Sequence, residues 1–170
     1  MFSEHKLGSL NLISRLWNVK EMSAMDDCCQ VPARKINSLS CPVCHQKGNT
    51  IQIITLKALL TPAALQTINP ASSYAFCSNA DCEVVYFTDG HIYNKDSVKV
   101  PVFQKDEGRD VPVCYCFGWT RERLIQASLE NQNPVRHISE QVQANRCGCE
   151  VNNPQGSCCL GNVTAYIHHI

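Results

Sequence analysis

Cys41 and Cys44 form a C-x2-C pair, and Cys77 and Cys82 form a C-x4-C pair. Each short loop turns two sulfurs toward one point, and four thiolates about 2.3 Å from a central ion make a closed tetrahedral zinc site. Such a site does no redox chemistry. Its binding free energy, on the order of 10 kcal/mol, goes instead into folding a unit too small to hold itself. Four buried cysteines acting as small hydrophobes, or a mononuclear iron on the same ligands, are the alternative readings. His45 and His91 lie near enough in sequence to replace one sulfur, but a lone histidine beside a motif is more often a surface residue, and both stay outside the zinc set of Cys41, Cys44, Cys77 and Cys82.

The cysteines further along read Cys114-Tyr115-Cys116, Cys147-Gly148-Cys149 and Cys158-Cys159. A binuclear iron-sulfur cluster needs four thiolates brought from segments that converge in space, and these three pairs offer six. C-x-C spacing is less natural for zinc than the C-x2-C of zinc knuckles, so a second zinc ion is the lesser reading.

The elements that must carry these thiols divide the chain by composition. Residues 1–40 read as an N-terminal extension, disordered, or outside the functional protein if translation starts at Met22 or Met25. Residues 41–103 read as a β-rich zinc unit. Strand-like residues run through Ile51 and Ile53; Thr61-Pro62 caps a short helix through Ile68. Strands return at Tyr74–Cys77 and Glu83–Thr88, and Asp89-Gly90 favours a two-residue hairpin into His91–Tyr93.

Residues 104–112, opening with the charged run QKDEGRD, read as a linker. Residues 113–170 then read as a helical unit. Thr120 caps a helix with Leu124, Ile125 and Leu129 on one face, Asn133-Pro134 starts a second with Val135, Ile138 and Val142, and Leu160, Val163 and Ile167 mark a third. The Cys114 and Cys158 loops both precede helices, so free N–H groups at helix N-termini would face an anionic cluster. The fold class expected is α+β: a small zinc-stabilised β-rich unit followed by a small helical unit that binds a [2Fe-2S] cluster.

Composition narrows the function. The 15 lysines and arginines balance 15 aspartates and glutamates, so no basic footprint points to nucleic acid or an anionic membrane. No stretch nears the roughly 20 apolar residues of a membrane span. The leading residues MFSEHKLGSLNLISRLWN hold no continuous apolar run or cleavage site of a secretory signal. A cytoplasmic, reducing location is therefore expected, in which the 12 cysteines serve metals rather than disulfides. No phosphate-binding glycine loop, nucleophile elbow or H-E-x-x-H motif is present, so no enzyme activity is expected.

Two stretches carry a family resemblance. Val113-Cys114-Tyr115-Cys116 and the run from Cys149 through Asn152-Asn153-Pro154-Gln155-Gly156-Ser157 to Cys158-Cys159 resemble the [2Fe-2S] domain of the bacterioferritin-associated ferredoxin type. Together with Cys41-Pro42-Val43-Cys44 and the stretch Phe76–Phe87, they make the chain from Cys41 onward look like the N-terminal domain of the iron-sulfur-containing copper chaperone CopZ family. The resemblance implies a zinc ion and a [2Fe-2S] cluster in one unit, with Cys114, Cys116, Cys149 and Cys159 on the cluster and Cys147 and Cys158 as alternates.

The Met-x-Cys-x-x-Cys loop that carries Cu(I) in the second domain of that family does not occur in this sequence. The function implied is therefore a redox accessory role: single-electron transfer, with Cu(II) reduced to Cu(I) for a separate copper chaperone or copper-transporting ATPase, fed by an unidentified electron donor. A cluster-based sensor or interaction module and a direct Cu(I) trafficking protein are the alternatives. Cys28-Cys29 and His168-His169 are at most accessory soft-metal groups.

Overall fold

The computed structural model describes residues 39–170; the expectations for the N-terminal extension and for Cys28-Cys29 lie outside these residues. Described residues combine antiparallel sheets with helices, the expected α+β class.

Four strands form the first sheet: β1 (Asn49–Ile51), β2 (Tyr74–Phe76), β3 (Val84–Thr88) and β4 (His91–Asn94), antiparallel in that spatial order. The Asp89-Gly90 hairpin forms as read, with Thr88 opposite His91 and Gly90 at φ 85°, where glycine meets no Cβ penalty. Helices α1 (Ile53–Leu59) and α2 (Pro62–Leu65) lie between β1 and β2 in the chain. Thr61 caps α2 by accepting from the Ala64 N–H at 3.4 Å, as its sequence implied, but α2 stops at Leu65 rather than Ile68.

The strand expected through Ile53 ends at Ile51, and Ile53 instead opens α1. Leu56, Leu59 and Leu60 are all buried, at the i, i+3, i+4 spacing of a helix face, which overrode the β-branched residues Ile51, Ile53 and Ile54. These leucines pack with Phe76, Tyr86, Tyr93 and Val98 in the first core.

A two-stranded ribbon of β5 (Pro112–Cys114) and β6 (Trp119–Thr120) opens the second half, followed by α3 (Arg121–Leu129), α4 (Pro134–Gln143), α5 (Cys149–Asn152) and α6 (Leu160–His168). Thr120 and Asn133 cap α3 and α4 through the Arg123 and Arg136 N–H groups at 3.2 and 2.9 Å. Leu124 and Ala127 form the buried face of α3, while Leu129 is 74% exposed, because five residues along a helix lead to the opposite side. Leu124, Ile138 and Val163 close a second core around Cys114, Cys149 and Cys159.

The expected linker carries specific bonds. The Lys105 ammonium donates to the Asn79 and Cys82 carbonyls at 2.7 and 2.8 Å. Arg121 donates to the Gly108 carbonyl of the linker at 2.9 Å and to the Phe103 carbonyl just before it at 2.8 Å, and lies over the Phe103 ring, 4.9 Å from its centre.

Candidate metal centres

Cys41 opens a tight knuckle in which its N–H bonds the Gln46 carbonyl at 2.8 Å and its carbonyl accepts from His45 at 2.9 Å. His45 holds the left-handed position of this turn, φ 59°, and is exposed, so its place is in the backbone turn. Across the sheet, Cys77 follows β2, with its N–H bonded to the Val85 carbonyl at 2.9 Å. Asn79 orders the C-x4-C loop by accepting from the Asp81 N–H at 3.2 Å.

This convergence brings all four sulfurs within 4.8 Å of one another. Bonds of about 2.3 Å to a central ion give a tetrahedron with edges of about 3.8 Å; Cys41–Cys82 at 3.9 Å and Cys44–Cys77 at 3.6 Å fit that edge. Cys41, Cys77 and Cys82 are buried with Ala75, Val84 and Phe87, which shields three of the four sulfurs, while Cys44 is half-buried. The Gln46 backbone N–H holds the Cys44 thiol down to about 6, while burial pushes Cys77 up to about 12. Burial also raises Cys82. A pocket that favours one anion and resists the next is completed by a divalent cation, which stabilises all four thiolates together. His91 takes no part. It lies exposed on β4 against Thr67 and the Tyr93 ring.

Further along, Cys114 ends β5 and Cys116 sits in the turn before β6, while Cys149 opens α5 and Cys159 caps α6. Cys159 therefore stands at a helix start as expected, and Cys149 opens α5, a short helix not anticipated from the sequence. Cys114 and Cys116 stand at no helix start, because the β5–β6 ribbon separates them from α3. The Cys116 and Cys149 sulfurs are 3.7 Å apart, and the Cys159 thiol lies near enough to Cys114 and Cys149 to shift both. Among the described residues, only the Cys41 set has three or more ligand atoms all within 4.8 Å of one another. The second four are spread more widely than that.

Donation from the Cys159 thiol lowers Cys114 and holds Cys149 down to about 6, and the same bonds drive Cys159 up. Burial pushes Cys116 up to about 11. Cys116 also accepts from the Gly148 N–H at 3.4 Å and the Asn152 amide at 3.6 Å. The alternates stand to the side: Cys147 is half-buried and Cys158 exposed.

Buried Asn153 shapes the loop that delivers Cys159, with its amide donating to the Ser157 carbonyl at 2.8 Å. Neither Asn152 nor Asn153 stood out in the sequence as a site residue, although both lie in the Asn-Asn-Pro run between cysteines. Lys105 was hidden in the charged segment. All ten described cysteines are free, and no helix among the described residues is long and apolar enough to cross a membrane.

Residues 38–99, which span the whole Cys41 set, match a family described as a zinc binding domain, that of CopZ. Over 121 residues, 71% of this chain, the sequence is 30% identical to the copper chaperone CopZ of Archaeoglobus fulgidus, and spans 58% of that protein's length. The fold is similar to the X-ray structure of the N-terminal domain of Archaeoglobus fulgidus CopZ, with a TM-score of 0.64 and 28% identity, covering 75% of this chain and 96% of that one. The first half of the described chain is thus a CopZ-like zinc-binding domain built on a four-cysteine cluster.

Proposed function

We propose that this protein is a copper-linked redox accessory. Its zinc unit, residues 41–103, holds Zn2+ through Cys41, Cys44, Cys77 and Cys82. Its second unit, residues 113–170 beyond the 104–112 connection, holds a [2Fe-2S] cluster through Cys114, Cys116, Cys149 and Cys159. When bound, such a cluster supplies a one-electron couple.

The observation that carries this reading is the contrast between the two cysteine sets. The first is compact enough for one ion. The second is spread more widely, with Cys116 beside Cys149 and Cys159 near both Cys114 and Cys149, which suits two irons held by four protein thiolates better than one ion. Cys114, Cys149 and Cys159 are buried and Cys116 is half-buried, so Cys116 marks the edge nearest solvent, where a redox partner would approach.

Similarity to a protein named a copper chaperone supports Cu(II) as the electron acceptor, with Cu(I) passed to a separate copper chaperone or copper-transporting ATPase in a reducing, cytoplasmic compartment. No covalent bond of a substrate is made or broken, so the role is that of a carrier rather than an enzyme. The exposed Cys158 favours direct Cu(I) handling as a second reading. Stoichiometric Cu(I) binding by the loaded protein, abolished by Cys158→Ser, would support it.

The test is anaerobic purification with iron, sulfide and zinc analysis and the EPR spectrum of the dithionite-reduced protein. About two irons, about two sulfides and about one zinc per chain, with a binuclear signal, are expected. Trapping of Cu(I) by a chelator after the reduced protein meets Cu(II) then tests the acceptor. Zinc in both sets with no acid-labile sulfide after iron loading would overturn the redox reading.

A further inference from the structure

Helix α5 places two groups on one sulfur. Cys149 is its first residue and Asn152 its fourth, so i, i+3 spacing puts both on one face. The Cys149 sulfur lies 3.7 Å from the Cys116 sulfur and the Asn152 amide nitrogen 3.6 Å from it. Gly148, just before the helix, adds its backbone N–H to the same sulfur at 3.4 Å. A Cβ on Gly148 would sit 3.4 Å from the Asn152 amide nitrogen and 3.3 Å from Val151, so glycine leaves the room in which the amide packs against the loop.

We infer that Asn152 is a positioning residue that sets the reduction potential of the centre, by donating its side-chain amide to the sulfur of Cys116. This rests on the cluster reading above. A hydrogen bond to a ligand sulfur disperses negative charge. It is worth more when the centre carries one further electron, so it raises the potential. Cys116 receives both donors on the partly exposed side of the set, and Asn152 is itself exposed. The residue that tunes the couple therefore also stands where a redox partner would dock. Unlike the backbone N–H of Gly148, its amide can be removed without altering the main chain.

The experiment begins with iron and sulfide analysis of the wild-type protein; absence of a cluster there overturns the cluster reading itself, before any variant is made. With the cluster present, the potentials of wild type, Asn152→Leu, Asn152→Asp and Asn152→Gln are measured by EPR-monitored redox titration. Removing the donor in Asn152→Leu is expected to disfavour reduction about tenfold, about 59 mV lower for one electron. Asn152→Asp, of the same shape but acceptor-only and negative, is expected to fall at least as far, and Asn152→Gln, which keeps a donor, to stay nearer wild type. Full iron and sulfide content with unshifted potentials in Asn152→Leu overturns the inference. If that variant fails to load, an unshifted potential in Asn152→Asp overturns it equally.

Discussion

The buried Thr55 hydroxyl donates a 2.6 Å hydrogen bond to the backbone carbonyl of Glu150, a residue 95 positions further along the chain. Thr55 belongs to α1 beside the zinc-domain sheet, and Glu150 follows Cys149 in α5. One side chain thus ties the zinc-binding half to the loop that presents the second cysteine set.

Thr55→Val keeps the shape and removes the donor, leaving the Glu150 carbonyl without its partner. A loss of about 1–3 kcal/mol is expected in urea unfolding. Thr55→Ser should recover most of it. Faster loss of iron from Thr55→Val than from wild type would show that the bond supports the second centre as well.

Gly156 adopts φ +65°, and a Cβ there would lie 3.1 Å from both Ile51 Cγ2 and Thr55 Oγ1. Gly156→Ala combines a left-handed backbone cost of about 1–2 kcal/mol with crowding of α1. A lower unfolding midpoint is expected, and an unchanged midpoint would show that the loop shifts freely.

Zinc removal should unfold the first sheet. The Cys41 set replaces hydrophobic mass in its corner of the domain, with Ala75, Val84 and Phe87 packed around the sulfurs, and structural zinc contributes on the order of 10 kcal/mol. Cys82→Ser, or prolonged chelation, is expected to release about one zinc with loss of strand signal in circular dichroism.

Acid should weaken the contact of Asp106. Burial raises its carboxyl, but the Val102 N–H at 2.7 Å and the Lys95 ammonium at 2.9 Å more than offset this and leave it below the usual carboxylate range. A carboxylate depressed in the folded state adds stability above its unfolded value of about 3.9, and that stability is lost as pH falls through the folded value. Urea midpoints between about pH 2 and 7 should therefore fall less steeply in the acid range for Asp106→Asn than for wild type, from a lower starting stability.

Tyr86 is fully buried, and its hydroxyl has no hydrogen-bond partner among the described residues. A buried hydroxyl without a partner costs about 1–3 kcal/mol. Tyr86→Phe is expected to raise the unfolding free energy by about 1 kcal/mol; a loss of that size would reveal a bond to the hydroxyl in solution.

What the sequence alone determined is what short-range physics can write into it. Thr61, Thr120 and Asn133 cap helices through N–H groups three residues ahead, and Asp89-Gly90 turns a hairpin within two residues. The pairs Cys41–Cys44 and Cys77–Cys82 announce a four-sulfur site by local spacing, since each knuckle is closed by its own backbone. Only the tertiary structure decided what depends on distant segments meeting. Ile53 joined a helix because Leu56, Leu59 and Leu60 had a core to enter. Which sulfurs neighbour Cys116 was not legible in C-x-C spacing, because Cys149 reaches it from 33 residues away. Asn152 and Thr55 acquire meaning the same way: a hydrogen bond needs its partner within a few tenths of an ångström, and packing, rather than local sequence, supplies that placement.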